Sequence, residues 1–344
     1  MFSIVANLHK RYVALEVGEM TKMNMVEALN QALDQALKRD KSVILLGEDI
    51  GKDGGVFRVT DGLQKKYGNE RVIDTPLAES GIVGASIGLA INGMRPIAEI
   101  QFDGFIPPAW DQLVSHASRI RNRSRGRYSC PMIVRAPYGG GIRALEHHAE
   151  SMEAVYAHTQ GMTVVIPSNP HNAKGLMLAA TKYPDPILFL EPKKVYRAIK
   201  MNVPDEPYEI PIGKAGIAKE GTDVTLISWG SMMKETLETA DKLAEKNVNA
   251  EVIDVRTIQP LDEETIIASV KKTGRAIIVH EAPRSGGWGA EIAARIQEHC
   301  LLELKAPVQR VTGFDVPFPY FQLEFDYLPS VERILAAVDE TMRF

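Results

Sequence analysis

Residues 72–112 read VIDTPLAESGIVGASIGLAINGMRPIAEIQFDGFIPPAWDQ, in which a short apolar strand, a helix and a second strand follow one another directly. The helical part carries small residues at spacings of three and four, so they share one face of the helix. These small residues are Gly81, Gly84, Ala85, Gly88 and Ala90. Each glycine costs a helix roughly 1 kcal/mol relative to alanine, so this face predicts close packing against another backbone. Glu79 stands at the helix start, where we expect a paired or functionally tuned carboxylate.

Strand-like and helix-like patterns alternate on both sides of this segment. Helical periodicity in MVEALNQALDQALKR (25–39) precedes the apolar run SVILLG (42–47), and the same alternation continues to the C-terminus. Alternation of this kind predicts an α/β fold with parallel sheets covered on both faces. Four prolines among charged residues make 192–215 the predicted linker.

The predicted organisation is therefore two doubly wound α/β domains. Its parts are an N-terminal extension (1–22), a first domain (23–191), the linker (192–215) and a C-terminal domain (216–344).

Composition excludes several classes of function. The net charge of −4 gives no general attraction to nucleic acid. A basic cluster at Arg119–Arg127 is therefore interpreted as a helix C-terminus and solvated or subunit-facing loop rather than a phosphate patch. The two cysteines, Cys130 and Cys300, are too few for a disulfide framework, and a reducing setting is expected, either the cytoplasm or, in a eukaryote, the mitochondrial matrix. No apolar run approaches the roughly 20 residues that span a bilayer.

Two long motifs carry a resemblance to a known family. DTPLAESGIVGASIGLA (74–90) and AEIQFDGFIPPAWDQ (98–112) resemble the β subunit of the thiamine-diphosphate-dependent decarboxylating component of 2-oxoacid dehydrogenase complexes. The resemblance continues to the C-terminus. It implies a transketolase-like pyrimidine-binding domain followed by a transketolase C-terminal-like domain.

The resemblance assigns cofactor contacts to five residues. Glu79 matches the glutamate that hydrogen-bonds the pyrimidine ring of thiamine diphosphate and promotes its imino form, a task for a carboxylate held in a fixed, dry geometry. Phe105 matches the aromatic side chain on which that ring stacks. Leu77 and Gln101 match pocket-lining positions, and Glu48 matches an acid of a polar tunnel between paired active sites. Without the motif, a glutamate at a helix start is more often a plain dipole partner.

His148 is the second candidate catalytic residue. EHHAESMEAVYAH (146–158) resembles the family's loop that carries a histidine near the reactive carbon of the cofactor. A second hypothesis is that Glu146, His147 and His148 bind a metal ion, and a third is that the segment is a solvated surface loop. Adjacent histidines do not share a helix face and HExxH is absent, so catalysis by His148 is favoured.

The resemblance also implies a shared cofactor site. In the family, the other subunit holds the diphosphate through Mg²⁺ with a Gly-Asp-Gly motif, and this chain contains no Gly-Asp-Gly. A pyrophosphate needs a metal or a backbone cradle, so an α subunit is expected to supply one. A K⁺ ion is implied as well, held mostly by backbone carbonyls. The matching positions are Met132, Ala180, Tyr183 and Asp185.

The expected activity is that of the β subunit of an α2β2 2-oxoacid dehydrogenase, which decarboxylates a 2-oxoacid and passes the acyl group to lipoamide on an acyltransferase core. Motifs such as GGVFR (54–58) and GFDVPFP (313–319) favour branched-chain 2-oxoacids such as 3-methyl-2-oxobutanoate. Pyruvate and acetoin dehydrogenases are alternatives. A split transketolase-like synthase and a non-catalytic scaffold are more distant ones.

Overall fold

Residues 19–344 fold into two mainly parallel sheets and one short antiparallel ladder. The computed structural model describes residues 19–344. The predicted extension therefore lies largely outside the described residues. Of its described part, residues 20–22 belong to a strand, β1.

The strands, numbered in chain order, fall into three groups. The ladder pairs β1 (Met20–Met23) with β8 (Met201–Pro204). The larger sheet contains β2 (Val43–Gly47), β3 (Val72–Asp74), β4 (Arg95–Glu99), β5 (Ile133–Tyr138), β6 (Thr163–Val165), β7 (Ile187–Pro192) and β12 (Thr257–Gln259). The smaller sheet contains β9 (Gly216–Lys219), β10 (Val224–Ser228), β11 (Ala250–Asp254), β13 (Ala276–Val279) and β14 (Gln309–Val311).

Helices lie between most of these strands. They are α1 (Met25–Arg39), α2 (Leu63–Tyr67), α3 (Glu79–Ile91), α4 (Ile120–Arg123), α5 (Glu153–Ala157), α6 (Pro170–Ala180), α7 (Met232–Ala244), α8 (Glu263–Thr273), α9 (Trp288–Cys300), α10 (Glu324–Tyr327) and α11 (Val331–Thr341). None of the helices in the described residues combines the length and the apolar character that a membrane-spanning helix requires.

The order of strands in the larger sheet is β12-β6-β7-β5-β4-β2-β3, and in the smaller sheet β14-β13-β10-β11-β9. All neighbours are parallel except for β12 against β6 and β9 against β11. The predicted α/β class with two parallel-sheet units is thus confirmed. The antiparallel edge strands were not predicted, because strands of three or four residues give too short a pattern to read.

Two predicted segments differ from the structure in detail. The helix that was predicted to end in the basic cluster Arg119–Arg127 is broken into a π-helical turn (112–116), a 3₁₀ turn (117–119) and α4. The Ser118 hydroxyl and the Arg119 guanidinium both donate to the carbonyl of Val114, which diverts that carbonyl from the regular helical ladder. In the segment 192–215, β8 adds a strand, and the side chains of Lys193, Val195 and Tyr196 are buried.

Helix α3 buries only one of its faces. Ile82, Val83 and Ile87 pack into the core, whereas Gly81, Ala85 and Gly88 on the small-residue face are exposed. No other atom lies within 4 Å of the position that a Cβ on Gly88 would take. Of the same face, Gly84 lies against Gln112 and Ala90 is buried, so the predicted close packing lacks a partner within residues 19–344 only at Gly81, Ala85 and Gly88.

Candidate active site

The candidate residues follow the carboxyl ends of four adjacent strands. Glu48 follows β2, Leu77 and Glu79 follow β3, Gln101 and Phe105 follow β4, and His148 lies in the long connection after β5. These strands are neighbours in the order β5-β4-β2-β3, so their ends form one edge of the sheet. Ligands of open α/β sheets bind at this edge.

Glu79 and Glu48 are half-buried acids at one end of this edge. Glu79 is the first residue of α3, where the N-cap Ala78 supplies no side-chain cap, so its carboxylate provides the negative charge at the helix N-terminus. The pKa of Glu48 is raised, first by burial and then by the negative charges of Asp49 and Glu79. The raised pKa favours the protonated form of Glu48, and burial is the main cause.

Phe105 and His148 are brought into direct contact at the other end. Their ring centroids are 5.0 Å apart with an edge-to-face angle of 81°. Phe102 contacts both, at 5.5 Å from Phe105 and 4.3 Å from His148. A Cβ on Gly104 would lie 2.1 Å from the His147 carbonyl oxygen, so only glycine allows the two loops to approach this closely. Sequence reasoning proposed Phe105 and His148 separately, and the fold joins them.

The imidazole of His148 has a defined tautomer. Its Nδ1 lies 2.8 Å from the Glu146 carbonyl oxygen. Because a carbonyl can only accept, Nδ1 carries the proton, and Nε2 of the neutral ring retains its lone pair. The half-buried ring can therefore accept a proton or a hydrogen bond at Nε2.

The two pocket-lining candidates differ in exposure. Gln101 is half-buried at the end of β4, whereas 70% of the Leu77 side chain is exposed in this chain. Leu77 thus presents an apolar surface that no residue of the described chain covers.

A buried ion network lies beneath the site. Arg135 on β5 donates to both carboxylate oxygens of Glu191, at 2.7 Å each, and also to Glu99. The three side chains are at most 5% exposed. Sequence reasoning missed this network, although a charged residue inside an otherwise apolar strand, repeated on three neighbouring strands, was a usable signal.

A second buried pair, also missed from the sequence, involves Asp103 and Lys193. Asp103 is fully buried, and neither of its carboxylate oxygens has a hydrogen-bond partner among the side chains of residues 19–344. Burial raises the pKa of Asp103 well above its usual range, against the attraction of Lys193. Burial likewise lowers the pKa of Lys193 to about 8. Lys193 donates to the Gly139 carbonyl and lies 5.6 Å from the centre of the Phe102 ring.

The positions proposed for a K⁺ ion lie before the amino ends of β5 and β7 and at the end of α6. They are therefore at the edge of the sheet opposite the candidate site. The carbonyls of Met132, Ala180 and Tyr183 each already accept one hydrogen bond, and the Asp185 carboxylate pairs with Arg121 at 2.8 and 3.0 Å. A cavity of about 760 Å³ is lined by Tyr183, Asp185 and Arg121.

Comparison with known proteins agrees with this architecture. Residues 21–199 match the family model "Transketolase, pyrimidine binding domain", and residues 213–334 match "Transketolase, C-terminal domain". A solved structure described as "Split gene transketolase, inactive beta4 tetramer" superposes with a TM-score of 0.73 at 23% identity, over 94% of this chain and 99% of that chain. At that identity the similarity shows the fold alone.

Several relatives are much more similar in sequence. The "Pyruvate dehydrogenase E1 component subunit beta" of Acholeplasma laidlawii is 54% identical over 320 residues, which is 93% of this chain and 98% of that protein. A protein of the same description from Staphylococcus epidermidis is 47% identical, over 94% and 100% of the two chains. The "2-oxoisovalerate dehydrogenase subunit beta, mitochondrial" of Dictyostelium discoideum is 49% identical, over 96% and 90%.

Proposed function

Because the chain belongs to the family of 2-oxoacid dehydrogenase E1 β subunits, built on the transketolase-like fold, we propose that it works with an α subunit in an α2β2 enzyme. The assembly decarboxylates a 2-oxoacid and transfers the acyl group to lipoamide on an acyltransferase core. The observation that carries the proposal is the shared edge of the sheet, which holds Glu48 and Glu79 and where Phe105 contacts His148.

The residues at this edge fit the pyrimidine half of thiamine diphosphate. When bound, that cofactor supplies the carbon nucleophile and the electron sink for decarboxylation. Glu79 would hydrogen-bond a pyrimidine ring nitrogen, and Phe105 would offer an aromatic platform for the ring. Leu77 and Gln101 would line the pocket, and the raised pKa of Glu48 favours the protonated form of that acid at the same edge of the sheet.

His148 acts on the substrate side. Its Nδ1–H donates to the Glu146 carbonyl, which fixes the tautomer and leaves the lone pair of Nε2 available for proton transfer. In this role the imidazole binds the carboxylate or keto oxygen of the 2-oxoacid when protonated. It accepts a proton during acyl transfer when neutral.

The diphosphate half of the site belongs to the α subunit. The sequence contains no Gly-Asp-Gly, so Mg²⁺ is held by that partner and the active site lies at the interface between subunits. The uncovered Leu77 and the exposed glycine face of α3 supply contact surface for the assembly. Buried free thiols at Cys130 and Cys300 suit a reducing compartment such as the cytoplasm.

A K⁺ ion is also proposed at Met132, Ala180, Tyr183 and Asp185. A carbonyl oxygen has two lone pairs, so the three carbonyls retain a lone pair for a cation. The ion pair of Asp185 with Arg121 opposes direct carboxylate ligation, which leaves backbone ligands. Raising the concentration of KCl, but not that of NaCl at equal ionic strength, is expected to raise the melting temperature. An equal response to both salts would exclude the site.

Branched-chain 2-oxoacids are the proposed substrates, on the basis of motifs such as GGVFR (54–58) and GFDVPFP (313–319). Pyruvate is the second candidate, because the relative at 54% identity is described as a pyruvate dehydrogenase subunit. The proposed domain boundaries remain 1–22, 23–191, 192–215 and 216–344.

The first experiment reconstitutes the chain with its α subunit, thiamine diphosphate and Mg²⁺, and follows turnover with an artificial electron acceptor. We expect faster turnover of 3-methyl-2-oxobutanoate and 4-methyl-2-oxopentanoate than of pyruvate or acetoin. Preference for pyruvate would select the second candidate. No turnover by a well-formed complex would reject the proposed reaction.

In the same assay, Glu79→Gln should lower kcat by about 100-fold or more, because the amide cannot exchange a proton with the pyrimidine ring as a carboxylate does. Glu70→Gln is the matched control, since Glu70 is an exposed acid just before β3. Wild-type turnover by the Glu79 variant would contradict the proposed mechanism.

A further inference from the structure

The loop that leads from β5 toward His148 is held by the C-terminal domain. This glycine loop comprises residues 139–143. The Gly140 N–H donates to Glu281 at 2.8 Å. The N–H groups of Gly141 and Arg143 donate to the two oxygens of Glu324, at 2.5 and 2.8 Å. Both glutamates belong to a domain that contributes none of the candidate catalytic residues.

Both carboxylates are buried and positioned by other groups. Glu324 is 1% exposed at the start of α10, and Glu281 is 2% exposed after β13, where it also accepts from the Ser231 hydroxyl at 2.7 Å. Buried carboxylates are costly unless each oxygen is hydrogen-bonded. The glycine loop supplies three of these bonds from its backbone, so loop and carboxylates fix one another.

The loop sequence suits this clamp. A Cβ on Gly139 would lie 2.6 Å from a Glu281 oxygen, and one on Gly140 would lie 2.4 Å from the Phe318 ring. Gly139 and Gly141 also have positive φ angles of 76° and 96°. The three consecutive glycines thus allow the backbone of the loop to lie close to the C-terminal domain. They do not by themselves indicate a flexible segment.

The glycine loop is linked to the segment around His148 by a backbone hydrogen bond as well as by the chain itself. The Gly139 N–H donates to the Glu150 carbonyl at 2.9 Å, which closes residues 139–150 into one unit around His148. The Arg143 guanidinium stacks over Phe325 at 5.4 Å, next to Glu324. Within that unit the imidazole meets Phe105 and is oriented by the Glu146 carbonyl.

We propose that Glu324, supported by Glu281, is a positioning residue that sets His148 against Phe105 from the C-terminal domain. The inference rests on the proposed function, because it gives His148 a catalytic role. Its structural part, that these carboxylates order residues 139–150, is independent of the reaction.

The test is Glu324→Gln in the reconstituted complex. An amide group replaces one acceptor oxygen and faces an N–H donor, so one of the two loop bonds is lost. We expect kcat to fall roughly tenfold or more, since a small displacement of a catalytic group has effects of this size. We also expect faster backbone hydrogen exchange over 140–148, with assembly retained. Glu324→Asp, which keeps the carboxylate, should recover part of kcat.

Asp326→Asn is the matched control, because Asp326 is an exposed acid in the same short helix. If Glu324→Gln does not fold, Glu281→Gln tests the other half of the clamp by the same measurements. Wild-type kcat and wild-type exchange in the variant would overturn the proposal. So would a loss of activity accounted for entirely by unfolded protein.

Failure of the proposed function gives a different result. In that case the wild type shows no turnover or His148→Ala remains fully active, while hydrogen exchange over 140–148 still responds to Glu324→Gln. An active wild type, an inactive His148→Ala variant and an unaffected Glu324→Gln variant would instead reject the positioning role alone.

Discussion

Glu153 is a buried carboxyl group whose ionisation the fold opposes. It is fully buried on α5, one oxygen accepts from the Trp229 indole at 3.3 Å, and the other has no partner among the described residues. Burial, with the negative charge of Glu281 as a further cause, raises the pKa of Glu153 to about 7 from an ordinary value of 4.5. Asp103 and Tyr138 lie in the same buried cluster.

This shift predicts that Glu153 makes stability depend on pH. Between about pH 4.5 and about pH 7 the folded state binds more protons than the unfolded state, so the free energy of unfolding falls as the pH rises. Glu153→Gln should remove that part of the fall. Denaturant unfolding of both proteins between pH 5 and 8 measures it, with the exposed Glu245→Gln as control. Identical pH dependence in wild type and Glu153→Gln would contradict the prediction.

At the residue scale, local motifs single out the candidate site residues but not the residues that surround them. Glu79 and Phe105 stand in long contiguous motifs, so their pattern could be recognised directly. Glu281 and Glu324 accept hydrogen bonds from residues 139–143, which are more than 130 residues away in the sequence. No local sequence pattern encodes a contact between such distant residues. Asp103 was overlooked because a single charge next to an apolar strand looks like an ordinary loop residue.

At the scale of elements, α3 has exposed glycines on one face, and we predict that this face packs against another subunit in the assembly. In the isolated chain, Gly88→Ala should stabilise the helix by up to about 1 kcal/mol, because the added methyl group meets no atom and alanine is the better helix former. Urea unfolding measures this effect.

Gly88→Leu should instead weaken assembly with the α subunit, because its side chain separates two closely packed backbones. Analytical ultracentrifugation of reconstituted samples reports the loss, with Gly88→Ala as the smaller substitution. Unchanged assembly of the Gly88→Leu variant would show that this face stays open in the complex.

Among the elements, long periodic helices were predicted well, and short or strained ones were not. Apolar spacing in α1 predicted a helix over residues 25–39, and Asn24 and Glu27 close a capping box at its start. The broken helix after Trp110 depends on side-chain bonds from Ser118 and Arg119, which periodicity does not report.

At the scale of the whole molecule, the two domains share structure that the linear order of the sequence does not suggest. β12 comes from the C-terminal half of the chain but forms an edge strand of the larger sheet against β6. Buried hydrogen bonds join Ser168 and Asn172 to Asp254 across the same boundary. One continuous apolar cluster includes Val164 and Leu188 from the first domain with Ile258 from the second.

This sharing predicts that the chain unfolds as one cooperative unit. Differential scanning calorimetry should show one transition, because separating the domains would expose both β12 and the common core. Ile258→Ala should lower the free energy of unfolding by roughly 2–5 kcal/mol and move that transition without splitting it. Ile217→Ala is the matched control, because Ile217 is 47% exposed on β9. Two transitions, of which only one responds to Ile258→Ala, would show instead that the C-terminal domain is stable alone. The contacts of Glu281 and Glu324 with residues 139–143 would then form when the two folded domains dock, and not as part of a single folding step.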